Sequence, residues 1–137
     1  MKKALLVLGF SGILFALPPH LLPKEEIKGI NLEVFERASF AQKREALKID
    51  YELKEQEHKS NEKYRQNDRK LDYNIRALKV DLQEAKSTRD EARVNAILAQ
   101  IVKLEEKKRL NKEEERMQRE KIDNQRIGKI YKQLGVQ

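Results

Sequence analysis

The chain has 137 residues, enough for one domain, with 30 lysines and arginines against 23 aspartates and glutamates and a formal charge of +7. It has no cysteine, which excludes disulfides and thiolate metal sites. Charged residues make up 39% of the chain and there is no tryptophan, so a thick globular core is excluded and helical hairpin or disorder remain as the two choices.

The N-terminus is typical of a bacterial secretory signal peptide. Two lysines precede an apolar run of about 14 residues that ends before Pro18, too short for a membrane-spanning helix of roughly 20. We predict a cleaved signal over residues 1–16, with Ala16 at the cleavage point, and a periplasmic location. No cysteine follows that could carry a lipid, so we expect no stable membrane anchor after cleavage. The alternative is an uncleaved anchor that extends to Leu22.

Turn-forming residues concentrate in the segment 17–40. Pro23 followed by "KEE" predicts a short helix that ends near Gly29, and Asn31 is a good N-cap for a long helix that begins at Leu32. We therefore divide the mature chain into an N-terminal segment, 17–31, and a helical hairpin, 32–137.

Two heptad patterns predict the hairpin. Neither proline nor glycine occurs from 32 to 86, and "KSTRDEA" (86–92) interrupts the apolar spacing, with Asp90 placed to cap a second helix. A turn near 86–91 would bring the two patterns face to face. The predicted seam consists of Leu71, Ile75, Leu78, Leu82, Val94, Ile97, Ile101 and Leu104.

Folding the chain at residue 88 pairs residues whose numbers sum to roughly 176. Leu47 would then approach Ile127 and Ile130, and the polar stretches 54–70 and 106–122 face each other, which favours an antiparallel hairpin over one continuous rod. The fold class is all-α, with arms of about 60–75 Å. The pattern leaves open whether the polar middle is closed or splayed. Because one hairpin buries a single apolar stripe, we expect a homo-oligomer, with a dimer favoured.

Six apolar residues of the segment 27–40 are left over from this pairing. We expect them to form the oligomer interface or to bind a protein client or partner. They are Ile27, Ile30, Leu32, Val34, Phe35 and Phe40.

No motif for catalysis, metal binding or a cofactor is present, so we predict neither an enzyme nor a cofactor. His58 lies near Glu55 and Glu62 at helical spacing, but we interpret it as a solvated or interhelical histidine. Basic residues alternate closely with acidic ones along the chain, so we expect no nucleic-acid partner.

The stretch 77–114, "ALKVDLQEAKSTRDEARVNAILAQIVKLEEKKRLNKEE", resembles the central hairpin of the Spy/CpxP family of periplasmic stress proteins. Upstream, "LPKEEI" (22–27) resembles the family's LTxxQ-type helix start, with Leu22 in the leucine place, Pro23 in the threonine place and Glu26 in the glutamine place. The resemblance implies an ATP-independent chaperone or envelope-stress adaptor that binds unfolded or partner proteins. Skp-type chaperones share the size and charge. The alternative is a structural coiled-coil component of an envelope machine such as a secretion or motility apparatus.

Overall fold

The computed structural model describes residues 24–136, which form a long helical hairpin. Helix α1 spans Leu32–Arg37, α2 spans Phe40–Ser87 and α3 spans Glu91–Gln133. No strand occurs in this part of the chain. With 48 and 43 residues, the long helices are about 72 and 65 Å in length and pack against each other. The predicted all-α hairpin is confirmed; the predicted signal peptide, 1–16, lies outside the described residues.

The hairpin turn consists of three residues, of which the first and the last are helix caps. Thr88 is the C-cap of α2, Arg89 adopts a positive φ of 55°, and the Asp90 N–H donates to the Ala85 carbonyl at 3.0 Å. The Asp90 side chain then accepts from the Arg93 N–H at 3.1 Å and begins α3. The reversal therefore falls inside the interval 86–91, and Asp90 caps α3 as predicted.

An apolar cluster closes the half of the hairpin next to the turn. Buried aliphatic side chains from both arms meet there, and the remaining seam residues pack around them half-buried, as the heptad spacing requires. The buried members are Ile75, Ala85, Ile97 and Ile101, with Leu78, Leu82, Val94 and Leu104 packed against them. Leu71, the outermost predicted seam residue, is half-buried beside them.

The polar middle of the hairpin is closed. The Asn111 Nδ2 donates to the Tyr64 carbonyl at 2.9 Å, and the Lys108 Nζ lies 3.3 Å from Asp72 Oδ1. Such contacts continue the seam with polar side chains at positions where the heptad pattern lacks apolar ones. The two arms of the hairpin are therefore in contact along the polar middle and do not splay apart.

The N-terminal part differs from the prediction. We expected a helix from Pro23 to Gly29 and an unbroken helix from Leu32, but residues 24–27 are irregular, 28–30 form a turn, and α1 ends at Arg37. Ser39 starts α2 afresh: its hydroxyl accepts from the Gln42 N–H at 3.2 Å, and the Gln42 Oε1 accepts from the Ser39 N–H at 2.9 Å. This capping box was legible in the sequence as S-x-x-Q.

Candidate protein-binding surfaces

The base of the hairpin, the end away from the turn, is built around a buried arginine. The Arg126 side chain, 3% exposed, lies 2.8 Å from Asp50 Oδ1 and 2.8 Å from Asp123 Oδ1. Its Nη2 also donates to the Lys28 carbonyl at 2.8 Å. Because a buried guanidinium needs its hydrogen bonds filled, Arg126 joins both arms to the irregular segment 24–31, which we call the N-terminal strap.

Two further contacts fix the strap. Gly29 has a φ of 85°, and a Cβ at this position would lie 2.9 Å from Ile127 Cδ1. The Asn31 N–H donates to the Tyr131 hydroxyl at 3.0 Å, while the Asn31 side chain caps α1. The strap thus crosses the end of α3 in close contact, and glycine is required where it passes Ile127.

The strap and α1 complete an apolar cluster at the base, which we call the base cluster. Buried side chains from four segments of the chain meet there, because α1 covers an end of the hairpin that two helices alone leave open. The buried members are Ile27, Phe35, Ala46, Ile130 and Leu134, with Ile30, Val34, Ala38 and Ile49 packed around them.

The premise that residues 27–40 are left over from the hairpin is wrong for most of the predicted binding set. Ile27 and Phe35 are each only 4% exposed, and Ile30 and Val34 pack partly buried on the same cluster. Their apolar surface is already covered within the chain. Leu32 is half-buried as well, and Phe40 alone projects outward, at 78% exposure.

Leu47 also departs from its predicted place. We expected Leu47 to approach Ile127 and Ile130, but Ala46 is the fully buried residue at that height, and Leu47 is 37% exposed. The small side chain of Ala46 leaves room for α1 at the base, so Ala46 and not Leu47 faces inward. Leu47 therefore becomes part of the outer surface.

One group of exposed apolar side chains lies toward the turn, and we call it the distal patch. On α2, Tyr73 and Val80 line a shallow surface groove and are 70% and 65% exposed. On α3, Leu98 and Val102 lie one helical turn apart and are also exposed. In the antiparallel pairing, Tyr73 stands at the height of Val102, and Val80 at that of Leu98. Both arms therefore present apolar side chains to solvent at similar heights, with Tyr73 and Val80 on the side of α2 opposite the seam and Leu98 and Val102 beside the seam on α3.

A second group lies on α2 near the base, and we call it the proximal face. It consists of Phe40, Arg44, Leu47, Lys48 and Tyr51, all exposed. Their spacing of four, three, one and three residues places them on one side of the helix, opposite the side that packs on α3. Sequence reasoning missed this face because it counted charges along the chain and not around the helix.

Acidic and basic side chains pair with each other on the outer surface of α3. Arg109 pairs with Glu106 at 2.7 Å, and Arg116 pairs with Glu113 at 2.9 Å. These hydrogen bonds, together with the guanidinium charges, hold the pKa of Glu106 and that of Glu113 below their usual value. The acidic runs therefore form a solvated, ion-paired surface.

Residues 24–136 contain no group of three or more histidine, aspartate or glutamate side chains that could hold a metal ion. His58 is exposed on α2. Within the same range, no helix is both long enough and apolar enough to cross a membrane.

Comparisons of the chain with protein-family models, with curated proteins and with solved structures find no match. The resemblance to the Spy/CpxP family therefore stays a prediction that depends on residues 77–114 and 22–27.

Proposed function

We propose that this chain is an exported, periplasmic protein-binding hairpin that acts as an ATP-independent chaperone or envelope-stress adaptor. The distal patch is the observation that carries the proposal. The seam and the base cluster bury apolar side chains inside the fold, whereas the side chains of this patch stay exposed and can contact another protein.

The expected partner is an unfolded or partly folded protein that offers apolar side chains. Apolar contacts on the outside of a rigid rod require no nucleotide, since burial of apolar surface is itself favourable. The net positive charge of the chain favours clients with an acidic surplus, because opposite charges speed the encounter. We therefore place the binding surface on the arms near the turn and not on the predicted segment 27–40.

The test follows light scattering from an unfolding client while the purified chain is added at increasing ratio. We expect suppression near stoichiometric ratios without nucleotide. Because each lost apolar contact is worth about 1 kcal/mol, Val80→Ser combined with Val102→Ser should weaken protection about tenfold or more.

The matched control is Met117→Ser combined with Val136→Ser, which removes two apolar side chains of 57% and 40% exposure far from the patch. This control should protect the client as the unchanged chain does. Equal losses in the two double variants, or no suppression by a sample shown to be helical, would refute the assignment.

A second candidate is a structural coiled-coil component of an envelope machine. The closed middle favours it, because contacts such as that of Asn111 with the Tyr64 carbonyl make the hairpin a stiff spacer. A crosslinked pull-down separates the two functions: one stoichiometric partner favours the spacer, and many unrelated clients favour the chaperone.

A further inference from the structure

We propose that the proximal face binds the surface of an anionic phospholipid membrane, with the base of the hairpin lying on the bilayer and not across it. This inference concerns a different surface from the distal patch and does not depend on the protein-binding role.

The proximal face has the composition of an interfacial helix. Phe40 and Tyr51 are 78% and 66% exposed and stand three turns apart, with Leu47 between them. Aromatic and aliphatic side chains on a charged helix surface are what a membrane interface accepts, because the rings enter the headgroup boundary while the helix stays outside. The face extends over about 17 Å of α2, from residue 40 to residue 51.

Its charge has one sign. Arg44 and Lys48 lie among the apolar side chains, and neither forms an ion pair with any residue of 24–136. The Lys43 ammonium stays at the edge, 5.5 Å from the centre of the Phe40 ring. Of the neighbouring acids, Asp50 pairs with Arg126, while Glu45 and Glu52 are exposed about one turn before and one turn after Lys48.

Glu45 and Glu52 lie roughly 100° around the helix from the centre of the face. The face therefore carries cations and apolar groups together, and it ends where Glu55 follows one turn after Tyr51. A second copy of this chain would present the same positive charge, so self-association through this face is opposed by repulsion. Its occupant has to be anionic.

The mixture of rings and cations favours a lipid over an acidic protein. Phe40 and Tyr51 stand at the two ends of the face with Arg44 and Lys48 between them, so the rings can enter the headgroup boundary while the cations stay near the phosphates.

The experiment measures cosedimentation of the full chain with vesicles of phosphatidylglycerol mixed with phosphatidylcholine, and with vesicles of phosphatidylcholine alone. We expect binding to the anionic vesicles that weakens as salt is added. Since each basic residue near an anionic surface contributes about 1 kcal/mol, Arg44→Gln combined with Lys48→Gln should reduce partitioning about 30-fold.

The matched control, Lys59→Gln combined with Arg65→Gln, removes the same charge from exposed positions of α2 beyond the face and should change partitioning less than about threefold. Phe40→Ser should also weaken binding, whereas the distal variants Val80→Ser and Val102→Ser should leave it unchanged. Equal loss in the control would assign the effect to net charge, and equal binding to neutral vesicles would assign it to the N-terminal residues. Either result overturns the proposal, as does binding to an acidic polypeptide without any binding to anionic vesicles.

Discussion

Replacing Arg126 by methionine should destabilise the hairpin more than any exposed ion-pair change. The guanidinium is buried, and it contacts Asp50, Asp123 and the Lys28 carbonyl, each at 2.8 Å. Methionine keeps most of the aliphatic stem, so the substitution chiefly removes the charge and its hydrogen bonds.

The magnitude follows from the groups left behind. Removing one partner of a buried ion pair costs about 3–5 kcal/mol. Asp50 is 13% exposed but keeps Lys54 at 3.0 Å, and Asp123 is 45% exposed and can turn to water. The Lys28 carbonyl loses its side-chain donor. We therefore expect the lower end of the range, a loss of about 3 kcal/mol in the free energy of unfolding.

The assay is urea denaturation followed by far-UV circular dichroism, with Arg119→Met as the matched control. Arg119 lies on the same helix, is 49% exposed, and reaches Glu115 at 3.0 Å and Glu57 at 3.9 Å, so its loss should cost about 1 kcal/mol or less. Hydrogen exchange should rise selectively in the strap, 24–31, of the Arg126 variant. A loss below about 1 kcal/mol for Arg126→Met, or equal losses in both variants, would show that the buried arginine does not hold the base together.

Three further changes test the seam, the turn and the α3 surface. Asn111→Leu should raise the free energy of unfolding by about 1 kcal/mol, because a polar seam residue sets the register of the two helices at a cost in stability. The same change should permit other helix pairings, including new oligomers. Light scattering that shows no new oligomers would contradict the role of Asn111 in register. Arg89→Gly should stabilise the turn by about 0.5–1 kcal/mol, since φ at this position is 55° and glycine adopts it without strain; unchanged urea midpoints would argue against strain there. The pKa of Glu106 lies below its usual 4.5 because of Arg109, so the pair stabilises the folded state above pH 4.5 and this contribution is lost as the pH falls through the lowered pKa. Arg109→Ala should return that pKa toward 4.5 in an NMR titration of the carboxyl group, and the same midpoint in both proteins would refute the attribution.

The sequence by itself determined the parts of the fold that depend on local spacing. The heptads around Ile75 and Ile101 predict an apolar seam, and Asp90 predicts the start of α3, because helix periodicity and capping involve residues within one or two turns of each other. The antiparallel register follows too: Asp50 with Arg126 and Glu57 with Arg119 both sum to 176, the value expected from a turn at 88.

Tertiary contacts determined which side chains are buried at the base of the hairpin. Arg126 looks like any other surface arginine in the sequence, and only the approach of the strap and of Asp50 makes it buried. The apolar residues of 27–40 looked free because they have no partner when only two arms are paired, but the strap and α1 fold onto the base and bury Ile27 and Phe35 there. The distribution of charged side chains around α2 was likewise not evident from the sequence. Along the chain, residues that pack on α3 alternate with residues that face solvent. Local rules therefore predicted the hairpin, whereas contacts between residues about 100 positions apart determined which surfaces remain available for binding.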